Sequence, residues 1–176
     1  MMRYAVLLIA MLLAACQPTS GPAPEPAPAN IVPAAADFVL VDKSDRTLAV
    51  YYEGKLIKTY QGIGFGDAPS GHKQFEGDER TPEGLYTIDT RNPNSAYHLS
   101  LRISYPNTAD RARAESIGRD PGGDIFIHGQ PNAMSGLGPD ARIPGDWTDG
   151  CIAVSNAEIT ELWNAIPDGT PIEIRP

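Results

Sequence analysis

From residue 37 onward, apolar and polar residues alternate in short blocks, and that alternation predicts strands. Residues 37–42 and 47–52 are β-branched and aromatic runs flanking the polar Lys43-Ser44-Asp45-Arg46, which reads as a hairpin. Glu53-Gly54 turns the chain into a third alternating run, residues 55–60, so the three form a meander whose residues are scaffold. Residues 62–84 hold six glycines with Pro69 and Pro82, which makes them mostly loop. Pro82 and Gly84 suit a tight turn that aims the next strand, residues 85–88, and His72 reads as a solvated loop histidine. Residues 98–104 alternate as a half-buried strand, with His98 on the same side as Ser100 and Arg102.

Two stretches change period from strand to helix. Residues 108–118 carry Thr108 as a cap, Asp110 in the first turn and Gly118 as a stop. In residues 155–166, Ser155 and Glu158 have capping-box spacing, while Ile159, Leu162, Trp163 and Ile166 form an apolar stripe. Pro167-Asp168-Gly169-Thr170 then turns into a last strand, residues 171–174. Between the two helices lies the strand-like Asp124-Ile125-Phe126-Ile127-His128-Gly129. A connection of 19 residues, 129–147, follows it. That is longer than a compact domain spends on a plain link, and it predicts a lid or a substrate-contacting loop. The pattern predicts a mainly β domain, a mixed sandwich or barrel-like fold with two short helices.

Composition divides the chain before that domain begins. Residues 1–15 carry Arg3 and then an apolar run, too short to span a bilayer but fitting an export signal. The run ends in Leu13-Ala14-Ala15-Cys16, which resembles the lipobox of bacterial lipoproteins. That resemblance implies that Cys16 is lipidated and becomes the new N-terminus, and Gln17 after it implies sorting to the outer membrane, facing the periplasm. Residues 16–35 hold this cysteine and a Pro/Ala-rich tether, extended and semi-rigid because proline fixes φ and lacks a donor. Residues 36–176 are one domain's worth of chain. The net charge is −8, and loss of Arg3 with the leader takes it to −9, which argues against nucleic acid as a partner.

Charge and cysteine count then direct attention to one residue. The chain has two cysteines, and with Cys16 lipidated, Cys151 is a lone thiol in an oxidising compartment. It lies 23 positions after His128. A thiol attacks only as thiolate, and free cysteine titrates near ~8.5, so an ion pair with a protonated His128 would supply the activation. Gly150 lets backbone pass close to a substrate, and the N–H groups of Asp149, Gly150 and Cys151 can converge on one oxyanion. Asp149 is expected to turn its carboxylate elsewhere, and the Gly129 carbonyl suffices to orient the imidazole. One cysteine and three histidines without close ligand spacing argue against a metal site.

Ile127-His128-Gly129, Thr148-Asp149-Gly150-Cys151, the nearby Asn156 and the upstream Thr81-Pro82-Glu83-Gly84-Leu85-Tyr86 together resemble the YkuD-type L,D-transpeptidase family. The resemblance covers about residues 38–174, and the form of residues 146–153 is that of the YafK-like branch. It implies a YkuD-type catalytic domain that needs no cofactor and acts on peptidoglycan stem peptides. Cys151 would attack the carbonyl between the L-centre of diaminopimelate and the terminal D-alanine. D-alanine would leave, and the acyl group would pass to an amine. By position Cys151 matches the nucleophile, His128 the general base, Gly129 the supporting carbonyl, and Asp149 and Gly150 the oxyanion donors.

Two positions depart from the family pattern. Another residue, often His, commonly stands where this chain has Asp149, and Arg or Asn often stands where it has Ala153. The arginine would help to hold a substrate carboxylate. Three readings follow. The first is an L,D-transpeptidase. The second is a hydrolase using the same thioester, either an L,D-carboxypeptidase or an amidase that releases a wall-attached lipoprotein. The third is a non-catalytic wall-binding lipoprotein, which loss of Cys151 or His128 would signal; both are present.

Overall fold

A computed structural model describes residues 36–176; the export signal, Cys16 and the tether lie outside the described residues. In chain order the elements are β1 (Phe38–Asp42), β2 (Thr47–Tyr52), β3 (Lys55–Gln61), β4 (Gly84–Asn92), β5 (Ser100–Ile103), α1 (Thr108–Ser116), β6 (Phe126–His128), β7 (Ile152–Ala153), α2 (Asn156–Ala165) and β8 (Thr170–Arg175). A short 3-10 helix, Asn132–Leu137, stands between β6 and β7. The eight strands form one sheet in the order β3-β2-β1-β8-β4-β5-β6-β7. Pairing is antiparallel except for β1 with β8 and β6 with β7.

The expected meander is β1 to β3, with Val39, Val41, Leu48 and Val50 turned into the core. Beyond β3 the chain crosses to the opposite edge. There Gly64 exchanges two backbone hydrogen bonds with Ala153, each 2.8 Å, and Gly66 bridges Thr148. The sheet therefore curls until its far edge meets the segment leaving β3, and the barrel-like expectation takes this specific form. The helix α2 packs on β5 and β6, burying Ile159, Leu162 and Ile166 completely, each worth roughly 1.5–3 kcal/mol of apolar burial. Its capping box is formed as expected: Ser155 Oγ accepts from Glu158 N at 3.2 Å, and Glu158 accepts from Ser155 N at 2.8 Å.

Three local expectations are corrected. The cap of α1 is Asn107, not Thr108. Its Oδ1 accepts from the amides of Ala109 and Asp110 at 2.8 and 3.1 Å, and Asp110 returns the bond to Asn107 N at 3.0 Å. The capping box needs its two side chains three residues apart, and the 107/110 pair satisfies that spacing. His72 is not solvated. Its Nδ1 accepts from Glu83 N at 2.9 Å and its Nε2 lies 3.0 Å from Asp110 Oδ1, so the ring ties α1 to the loop before β4. His98 lies outside the strand, with φ 67°, because Asn132 accepts its backbone N–H at 2.8 Å and draws the chain away from the ladder. Among the described residues no helix is long and apolar enough to cross a membrane.

Candidate active site

His128 is the last residue of β6, opposite Ser100 of β5, and only 4% exposed. Its Nδ1 lies 2.7 Å from the carbonyl of Gly129. A carbonyl only accepts, so Nδ1 carries the proton and Nε2 presents its lone pair as a base. The imidazole is packed between Tyr97, with ring centroids 4.5 Å apart, and Trp147, edge-on at 5.7 Å. Behind it, a Cβ on Gly129 would lie 2.5 Å from Asn156 Oδ1 and 3.0 Å from Ile159 Cγ2. The backbone after the base is thus seated directly on α2, where only glycine fits. Gln130, fully buried, joins β6 to its surroundings by donating to Val154 O at 2.6 Å and accepting from Ile143 N at 2.8 Å. Asn156 completes this support by accepting from Gln130 N at 2.8 Å.

Cys151 stands just ahead of β7. Thr148 shapes its turn, donating from Oγ1 to Cys151 O at 2.8 Å and accepting from Gly150 N at 3.2 Å. Gly150 has φ 131°, and a Cβ there would lie 2.6 Å from Arg80 O, so glycine is required at this position. Its N–H being taken by Thr148, Gly150 is not an oxyanion donor in this arrangement. The amides of Asp149 and Cys151 are the candidates that remain. The thiol is half-buried and donates to Asp124 O at 3.5 Å.

Electrostatics correct a second expectation. Burial pushes the Cys151 thiol up to about 11, aided by the negative charges of Asp149 and Asp124 and opposed by the Phe126 N–H and Lys73. Burial also lowers His128, against the opposing pull of the Gly129 carbonyl. The resting pair is therefore neutral thiol and neutral imidazole, not the expected ion pair, because each buried group disfavours its own charged form. Nor does Asp149 turn away. It lines the same cavity as Cys151.

That cavity, about 590 Å³, is lined by Cys151, His128, Asp149, Tyr97, Ser100 and Lys73, among others. It is large enough for the end of a peptide. Residues 130–147 line none of it, so the expected lid is instead a clamped connection. Arg142 bonds Gly62 O at 2.8 Å and the Glu158 carboxylate, and Asp146 bonds Arg46 at 2.6 Å and Phe65 N at 2.8 Å. The contribution of this segment to the site is Trp147, whose Nε1 is buried without a partner among the described residues. Tyr97, Lys73 and Trp147 were not singled out from the sequence. An aromatic four places ahead of the nucleophile was a usable signal for Trp147; Tyr97 and Lys73 arrive through long-range folding and had none. Among the described residues no group of three or more His, Cys, Asp or Glu is gathered as metal ligands.

A base at the end of one strand and a thiol at the start of its parallel neighbour, sharing one cavity, define a cysteine–histidine site suited to acyl transfer. The model of the YkuD family, the L,D-transpeptidase catalytic domain, matches residues 36–174, and the chain belongs to that family. It is 26% identical over 135 residues to YafK of Escherichia coli (strain K12), covering 73% of this chain and 46% of that protein. It is 28% identical over 143 residues to YkuD of Bacillus licheniformis, covering 78% and 65%. Among solved structures, the helical cell shape determining protein Pgp2 of Campylobacter jejuni aligns with a TM-score of 0.59 and 27% identity, over 84% of this chain and 51% of that one. The L,D-transpeptidase of Xylanimonas cellulosilytica (TM-score 0.51, 14% identity, 81% and 61% covered) shares the fold. The chain spans about half the length of YafK and of Pgp2.

Proposed function

We propose that this domain is a cysteine acyltransferase of peptidoglycan, an L,D-transpeptidase with Cys151 as nucleophile and His128 as general base. The observation that carries this reading is the Nδ1–H bond from His128 to Gly129 O, which leaves Nε2 as a base in the cavity that also holds the thiol. Since the resting pair is neutral, the thiol proton passes to Nε2 as Sγ attacks the stem-peptide carbonyl between diaminopimelate and D-alanine. The oxyanion is received by the amides of Asp149 and Cys151. As the tetrahedral intermediate collapses, the imidazolium returns the proton to the leaving amine and D-alanine departs, leaving a thioester on Sγ. An acceptor amine then attacks the thioester, giving up its proton to His128, and Sγ leaves to recover that proton.

The same reading extends to where the domain works. The leader and Cys16 support an exported lipoprotein facing the periplasm and held to the outer membrane, and the likeness to Pgp2 supports a part in cell shape. Resolution of the thioester by water is the competing outcome, and one experiment separates the two. Soluble protein is incubated with a disaccharide-tetrapeptide and read by mass spectrometry beside a Cys151→Ala sample. A crosslinked dimer lacking one D-alanine is expected, and it should vanish in the variant, a loss on the order of 10⁴-fold or more. Tripeptide alone, even with added acceptor, would assign the hydrolase. Turnover by Cys151→Ala would remove the cysteine from the mechanism.

A further inference from the structure

The cavity that holds Cys151 is rich in carboxylates: Glu76, Asp124 and Asp149 all line it. A stem peptide ends in a carboxylate of its own, and such a wall repels it unless a cation is built in. Lys73 is the one lysine or arginine lining the cavity, and it is only 3% exposed. A lysine this deep requires a partner, and Asp78 Oδ1 provides one at 2.9 Å. Asp78 is itself saturated by the loop around it, accepting from the amides of Gln74, Phe75 and Arg80 at 2.6, 3.3 and 3.1 Å. Burial alone would raise its carboxyl, but these bonds and Lys73 hold it below the usual carboxylate range. The loop thus anchors Asp78, and Asp78 anchors the lysine head. An ammonium has three donors, and the bond to Asp78 uses one.

Beyond the nucleophile, β7 adds no cation, since it is Ile152 and Ala153 and neither lines the cavity. Ala153, two places after the nucleophile, is 2% exposed and locked to Gly64 by two backbone bonds. The seam is so tight there that even a Cβ on Gly64 would meet Gly145 O at 2.9 Å. A long cationic side chain has no room at that seam.

We infer that Lys73 is the specificity-determining residue that receives the C-terminal carboxylate of the stem peptide. The inference rests on the peptidoglycan reading of the site. Its test uses binding, not turnover, with the Cys151→Ser protein titrated calorimetrically with a tetrapeptide stem bearing either a free or an amidated C-terminus. With Lys73 intact, the free acid should bind about tenfold or more tighter than the amide. Lys73→Met should erase that preference, and Lys73→Arg should keep most of it. Because Lys73→Met strands Asp78, the double variant Lys73→Met with Asp78→Asn, which removes both buried charges, serves if the single one fails to fold. A preference that survives the loss of Lys73, or equal binding of the two peptides to the protein with Lys73 intact, overturns the inference alone. No binding of either peptide to that protein overturns the stem-peptide reading together with it.

Discussion

Two histidines in this domain are similarly sheltered and entirely differently used. His72, with its side chain 15% exposed, engages both ring nitrogens, one with the Glu83 amide and the other with Asp110. Arg113 closes the cluster on Asp110 Oδ1 at 3.2 Å, and Tyr86 donates to Asp110 Oδ2 at 2.9 Å. His128 engages one nitrogen only and is surrounded by aromatic rings where His72 has ions. A histidine with both nitrogens spent is a strut. One with a single nitrogen held is an oriented base, and apolar walls keep it neutral until a proton arrives. What separates the two is the number of committed nitrogens, since burial alone does not.

The largest expected contrast comes from deleting each ring. His128→Ala should lower kcat by about 10²–10⁴-fold with little change in the denaturation midpoint. His72→Ala should leave kcat within about twofold and reduce unfolding free energy by about 1–3 kcal/mol, through the stranded Glu83 amide and the lost contact to Asp110. Equal activity losses in the two variants would abolish the distinction. Next in size is the response to pH. Alkylation of Cys151 should keep climbing through the alkaline range with a midpoint near 11, and a plateau reached by about pH 8 would reinstate the ion pair. On the acid side, the folded state depresses His128, so the unfolded chain binds that proton more readily. Stability should therefore decline as pH falls below about 6.5 and level off once His128 is protonated in the folded state too. Smallest is the cap of α1, which positions Asp110. Asn107→Ala should cost about 1 kcal/mol in denaturant melts and Thr108→Ala should cost far less; the reverse order would return the cap to Thr108.

The same contrast explains what was legible in the chain. The meander, α2 with its Ser155–Glu158 box, and the apolar run closing on His128 are all written in local periodicity, and each is found. Cys151, His128, Asp149 and Gly129 do meet around one cavity or its support. What was illegible depends on which groups the folded chain pairs, whether near or far in sequence. The second partner of His72 lies 38 residues on, at Asp110; Lys73 enters the cavity because a turn five residues later supplies Asp78; and Gly150 loses its amide to a neighbouring hydroxyl whose rotamer no pattern encodes. The two-residue β7 has no period of its own. It is a strand because β6 on one side and Gly64 on the other make it one.

One pairing sets a timetable for the whole molecule. The first strand, β1, and the last, β8, lie side by side and parallel in the middle of the sheet, with Val39 against Ile172. β8 also carries β4, so among the described strands it joins the meander to the half of the sheet that bears Cys151 and His128. A chain still being synthesised or threaded through a pore lacks that strand until Thr170–Arg175 have emerged. Until then the ladder between its two halves stays open, and closing it requires a contact between residues 133 positions apart. A chain that stops before Thr170 therefore carries the thiol and its base but leaves β1 and β4 without the strand they share.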